Sequence, residues 1–274
     1  KNIILKKNTV IYKKDYFLIK GNVQLEIKNN AILFVKGNIN FEGSDENKIF
    51  INSDGSGSII FENNNVTLKH VNIENLGSPK LDRYILFGGL NFIEADVVLE
   101  NIKVKNSNSE DAINLINSKT FLKDIFLENI YSDAIDVDFG SLKFNKLACK
   151  EINNDCLDIS GAKIQGTKLS IDTSYDKGLS IGENAIVNIK DLSVVNSKVG
   201  VAVKDGSVAY IDNVESINND YDLAIFVKKK EYSNPDLKIQ NFLKNEKKIL
   251  QSKESKLKID NEVIAGKHSN SYIN

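Results

Sequence analysis

The sequence predicts an all-β solenoid, a stack of about ten short coils with three strands each and parallel pairing between coils. Three observations lead there. Apolar residues recur every 22 positions through the centre of the chain, the pattern inside each unit alternates with period two, and turn-forming residues fill the gaps. No stretch longer than a few residues carries helical periodicity.

The triplet Ile135-Asp136-Val137 sets the frame. Stepping back 22 residues gives Ile113-Asn114-Leu115, and stepping forward gives Leu157-Asp158-Ile159, Leu179-Ser180-Ile181, Val201-Ala202-Val203 and Leu223-Ala224-Ile225. First and third places stay apolar, as expected of a strand with one buried face. A second strand per unit runs through Leu142 and Phe144, or Val208 and Tyr210. A third runs through Ile125 and Leu127, Leu147 and Cys149, Leu169 and Ile171, Leu192 and Val194. Tight turns rich in Asn, Ser, Gly and Asp separate them. Asn129, Asn196 and Asn218 fall at equivalent turn places, which suits side-chain ladders between coils.

Upstream, one unit contains Leu90, Phe92, Val97, Leu99, Ile102 and Val104, and the unit before it contains Ile59, Phe61, Val66, Leu68, Val71 and Ile73. These two are 31 apart, and the excess lies in residues 76–89. Residues 18–53 alternate in the same manner, and residues 1–30 read as the opening coil and cap. After Ile239 the pattern loosens. Residues 240–266 read as last coils plus a cap that blunts the open edge, and 267–274 as a tail. The expectation is one domain over 1–266. A leucine-rich repeat has a period in this range, but it wants a Leu-x-x-Leu-x-Leu frame and a helical return, where three strands fill this coil.

Composition narrows the function classes. A net charge of −1 gives no basic excess for nucleic acid, and no apolar run nears the roughly 20 residues of a membrane-spanning helix. The chain starts at Lys1 and has no methionine, which reads as a segment of something longer, with another domain before it as a partner. Cys149 and Cys156 permit a disulfide, although two packed free thiols are the simpler reading. Arg83 is the one arginine, and His70 and His268 are the two histidines. His70 aligns with turn positions and reads as a solvated turn residue. No phosphate loop, Ser-His-Asp set or zinc spacing appears.

The segments "KGNVQLEIKNNAILFVKGNINFEGS", "NSEDAINLINS", "SDAIDVDFG", "NDCLDISG", "DKGLSIGEN" and "VGVAVKDGS" resemble right-handed parallel β-helix proteins of the pectate-lyase-like superfamily. More specifically they resemble bacterial β-helix domains found C-terminal to CotH-kinase-like domains. The resemblance covers most of residues 20–240. It implies a right-handed, single-stranded parallel β-helix and an extracytoplasmic place: secreted, periplasmic or cell surface. For activity it implies little, because the superfamily includes lyases, hydrolases, epimerases, adhesins and inert spacers.

With Ile135 and Val137 inward, Ala134, Asp136 and Asp138 read as outward, and the outer face can be read as columns. The first is Ala112, Ala134, Cys156, Gly178 and Gly200, and the outward side chains of the later coils are small, which makes the face a shallow floor along which a polymer can lie. Its walls are the turns and the 76–89 loop. The second is Asn114, Asp136, Asp158, Ser180 and Ala202. The third is Ile116, Asp138, Ser160, Gly182 and Lys204. Asp111, Asp133, Asp155, Lys177 and Val199 precede the strand, and Glu183 and Asp205 follow it. Asp136 and Asp158 then start about 5 Å apart, backbone to backbone. Two unit charges at that distance repel by about 3 kcal/mol at an effective dielectric near 20.

Three readings of the patch compete. Asp133 and Asp155 cap turns through their own backbone while Asp136 and Asp158 are solvated. Alternatively Asp133, Asp136, Asp155 and Asp158 hold Ca²⁺, as in several polysaccharide lyases of the resembled superfamily. Lys177, or Lys204 as the alternative base, then acts with Asp136 and Asp158 on an acidic polysaccharide. The third is glycoside hydrolysis by paired Asp, although the polygalacturonase-like pattern also wants a nearby His. Expected substrate contacts are Asp138, Ser160, Ser180, Glu183, Lys204 and Asp205. The leading expectation is a carbohydrate-interacting β-helix with Ca²⁺-assisted lyase chemistry. The rival is a non-catalytic spacer or adhesin module.

Overall fold

A computed structural model describes residues 1–79, 87–243 and 246–268. Every regular element among them is a strand, and they wind into a parallel solenoid with three faces. Face A is built from rungs Thr9–Ile11, Ile32–Val35, Ser58–Glu62, Gly88–Ile93, Asp111–Ile116, Asp133–Asp138, Leu157–Ser160, 177–182, 199–204, Tyr221–Phe226 and Ile249–Gln251, which makes eleven turns. Long strands such as Asp96–Lys105, Lys119–Ile130 and Ser141–Ile152 bend at their middle and serve faces B and C in succession.

Register follows the apolar frame. Ile59, Leu90, Ile113, Ile135, Leu157, Leu179, Val201 and Leu223 stand one above another. All are at most 1% exposed. Burying each such side chain contributes about 1.5–3 kcal/mol. Phe61 and Phe92 stack in the next column, with centroids 4.9 Å apart. One core cluster runs from Leu25 to Ile259.

The corners explain the asparagines. Asn75, Asn106, Asn129, Glu151, Thr173, Asn196 and Asn218 occupy one corner, each with φ between 53° and 67°. Asparagine tolerates this left-handed conformation better than other non-glycine residues. Its side chain also bridges coils: Asn129 Nδ2 donates to Asn106 Oδ1 at 2.7 Å. The corner after face A is Asn63, Glu94, Asn117, Phe139, Gly161, Glu183 and Asp205, again all at positive φ. The left-handed conformation costs an L-residue about 1–2 kcal/mol. His70 also sits at a corner (φ 50°), half-buried rather than solvated, with Nε2 3.3 Å from Asn101 Nδ2. At the far end, Glu262–Ile264 folds back antiparallel on Lys256–Ile259. Residues 269–274, most of the expected tail, and Arg83 lie outside the described residues.

Two sequence expectations are corrected. The column Ala112, Ala134, Cys156, Gly178 and Gly200 is not an outer floor but is buried throughout. Where face C turns into face A, two consecutive residues point inside, so strict alternation misassigns the first. The residues are small because the corner interior is tight: a Cβ on Gly178 would meet Val194 Cγ1 at 2.7 Å and the Gly200 carbonyl oxygen at 2.8 Å. The cysteines are not free. Cys149 from face C and Cys156 from this corner both point inward and form a disulfide, with Cα atoms 6.0 Å apart.

Ala134 tests this corner. Ala134→Leu should destabilise the protein by about 1–3 kcal/mol through overpacking. A denaturation midpoint equal to that of the unmodified chain would place Ala134 on the surface instead.

Candidate functional site

Face A carries the residues singled out above. Register places Asn91, Asn114, Asp136, Asp158, Ser180 and Ala202 in one outward column, and Ile116, Asp138, Ser160 and Gly182 in the next. Asp136, Asp138, Asp158 and Ser160 are half-buried, and Ser180 is fully buried. Lys204 covers this serine. Its side chain runs back over Gly182, whose missing Cβ leaves the path open, and Nζ donates to Ser180 Oγ at 2.9 Å. Four neighbouring rungs thus present Asp136, Asp158, Ser180 and Lys204 on one strip.

The turn aspartates do different work. Asp133 Oδ1 accepts from the Asp155 backbone N–H and from Asn154 Nδ2, both at 2.7 Å. Asp155 Oδ1 accepts from the Lys177 N–H at 2.8 Å. Each carboxylate therefore caps the coil above rather than its own turn, and both are buried. Asp205 is buried as well, its Oδ1 accepting from the N–H groups of Lys228 (2.7 Å) and Lys229 (2.8 Å). Glu183 pairs with Lys229 Nζ. These two acids, expected as substrate contacts, anchor the 227–232 segment as a wall along the corner after face A.

Electrostatics separates the members further. Burial pushes Asp136 up to about 9, with Asp111, Asp138, Asp158 and Asp133 adding like-charge repulsion. Asp133 is raised to about 7, by burial first and then by Asp155, Asp158 and Asp111, against the lowering hydrogen bond from the Asp155 N–H. Asp111 and Asp155 are raised to about 6, chiefly by burial. Burial and Asp158 also raise Asp138. For Lys177, burial works against the ammonium, but Asp155 at 3.4 Å and the contacting Asp176 outweigh it and hold the pKa above the usual lysine value. Lys177 is thus kept protonated and is poorly suited to accept a proton. Lys204 is lowered, mainly by burial, although Asp158 opposes this.

No family model matches the sequence, and no curated protein matches it. The fold overlaps an alginate lyase from Paenibacillus sp. str. FPU-7 over 93% of this chain and 99% of that one, with a TM-score of 0.38 and 10% identity. At that level the overlap carries no argument about what this chain does.

Calcium can be tested on the donors themselves. The ion takes roughly six to eight oxygen ligands. Here Asp133 and Asp155 direct oxygens at backbone N–H groups, and Asp158 Oδ1 accepts from the N–H of Ile159 at 3.0 Å. Among the described residues, no group of three or more His, Cys, Asp or Glu is arranged to hold a metal ion. One oxygen of each of Asp133, Asp155 and Asp158 is thus turned to a backbone N–H rather than toward a common point.

Two participants were not singled out as site residues from the sequence. Asp111 accepts from Asn114 Nδ2 at 2.6 Å. Asn114 is 2% exposed, and its Oδ1 has no partner among the described residues. Asn114 is the register partner of Asp136. The 22-residue step from Asp136 finds Asn114, but nothing in the sequence reveals its burial. A separate cleft of about 580 Å³ opens on face B over Thr67, Val98, Phe121 and Lys143, away from the carboxyls. No helix among the described residues is long and apolar enough to cross a membrane.

The pH dependence follows in sign. Asp111, Asp133, Asp136 and Asp155 bind protons more tightly folded than unfolded, so their stabilisation is complete below the ordinary value of 3.8. It is lost as pH rises through about 6, 7 and 9. Stability should fall from pH 4 to pH 9. Asp136→Asn should raise Tm at pH 9, by about 2–4 °C for each kcal/mol of repulsion relieved, and leave it unchanged at pH 4. Thermal melts across this range decide it, and an equal Tm shift at both pH values would contradict the assignment.

Proposed function

We propose that this chain is a carbohydrate-acting β-helix that cleaves glycosidic bonds with Asp136 as general acid and Asp158 as its carboxylate partner. One observation carries the reading: two carboxyl groups occupy adjacent rungs of the same outward column, and no described residue donates a hydrogen bond to Asp136. Held protonated at neutral pH, Asp136 can give its proton to a leaving-group oxygen. Adjacent rungs lie about 4.8 Å apart, near the roughly 5–5.5 Å separation of carboxyls in retaining glycosidases. The partner then attacks the anomeric carbon as nucleophile, and water later releases the sugar. Lys204, held over the buried Ser180, borders Asp158 and can donate to a sugar hydroxyl.

The crowding of carboxyls argues about the substrate. An acidic glycan would bring further negative charge onto a strip already crowded with carboxyl groups, Asp138 and Asp158 among them. A neutral polysaccharide is favoured instead. The disulfide suits an oxidising, extracytoplasmic setting. A second reading has one observation behind it: the lowered pKa of the buried Lys204 suits a base for elimination.

Incubation with neutral and uronate polysaccharides, in chelator, separates these readings. Hydrolysis should appear as new reducing ends without absorbance at 235 nm. Asp136→Asn and Asp158→Asn should each lower kcat by about 10²–10⁴-fold with the fold retained. Absorbance at 235 nm lost in Lys204→Ala would support elimination, and binding without turnover would support a non-catalytic module.

A further inference from the structure

The corner that ends each face A rung is at positive φ in seven coils, and six of those positions carry Asn, Asp, Glu or Gly. The seventh is Phe139, at φ 60°. A bulky residue is a genuine outlier in this conformation. Burial does little to offset the strain, because the residue is 55% exposed. Its ring instead lies against Gly161 of the next coil. A Cβ there would come within 2.8 Å of Cδ1 and 2.9 Å of Cε1, so only glycine leaves room for the ring. A strained residue and a glycine seat together hold an aromatic surface in the open, one residue beyond Asp138 and beside Ser160.

Strain kept under a largely exposed ring points to a ligand. The ring face is electron-rich and suits the polarised C–H groups on the apolar face of a sugar ring. Asp138 and Ser160 alongside it offer hydrogen-bond partners for the hydroxyls at the sugar's edge. We propose that Phe139 is the platform on which one pyranose of the glycan stacks, fixing the chain's position relative to Asp136 and Asp158. This rests on the reading of face A as a carbohydrate site, and it assigns Phe139 to binding and register, not to bond cleavage.

Phe139→Asn gives a clean test, because Asn117 occupies the same corner one coil earlier at φ 47°. The variant should melt at or above the temperature of the unmodified chain. Its KM on the hydrolysed polymer should rise by about tenfold or more, equivalent to about 1.4 kcal/mol, with kcat changed far less. Retention in gels containing soluble glucan, xylan, mannan or galactan should weaken in parallel, and Phe139→Trp should restore it. Unchanged KM and retention in Phe139→Asn would overturn the platform while leaving hydrolysis standing. Retention lost in Phe139→Asn, in a protein that turns nothing over, would keep the platform and remove hydrolysis. A lower melting temperature with unchanged retention would make Phe139 structural, and a chain retained by none of the four polymers would overturn both proposals.

Discussion

Each coil leaves its strand N–H and C=O groups pointing along the solenoid axis, and only the coils above and below can satisfy them. Neither can one coil bury its own inner face. Both needs are met by a single arrangement, parallel pairing in a fixed register, and the register is held because a slip by one residue would turn every inward Ile, Leu and Val outward. Positive-φ corners follow from the same requirement: the chain must turn three times per coil in few residues and return in register.

The same register creates the site. A residue type repeated at a 22-residue step becomes a column at rung spacing, so Asp136 and Asp158 meet without any loop to hold them. Repulsion among these carboxyls and the turn aspartates beside them has to be answered, and the structure does so differently from one to the next. Asp133 and Asp155 accept hydrogen bonds from the next coil, Asp155 also has Lys177, and Asp136 has none of these and is pushed up to about 9. Chemically identical side chains thereby acquire different roles. The disulfide between Cys149 and Cys156 closes the corner leading into this face, next to Asp155.

Fold and column assignments were legible because period two and the 22-residue step are written in residue types. The inward placement of Ile135 and Val137 and the pairing of Asp136 with Asp158 needed nothing more. The corner before face A was not legible. Ala134 and Cys156 precede an inward residue, so alternation puts them outside, whereas the bend puts them inside, and with them the sulfur atoms that join. Asp133 and Asp155 were recognisable as caps, but a sequence does not say whether a carboxylate turns to its own backbone or to the coil 22 residues on. Phe139 escaped notice because phenylalanine signals no turn, although its neighbours in the column, Asn117 and Gly161, are ordinary corner residues.

The 31-residue step between Ile59 and Leu90 has a practical side. Val66 still pairs with Val97 and Ile73 with Val104, as if the longer connection beginning at Asn75 were absent. The ladder reads only the strands, and the corner residue ends one before the next begins. The strand register passes the longer connection unchanged, although its start joins the stack: Leu76 lies in the core and its carbonyl accepts from the Asn108 N–H at 2.7 Å. The solenoid is therefore a natural chassis for grafting: a foreign loop placed after a corner asparagine would be displayed at the edge of face A, at a height set by the choice of coil.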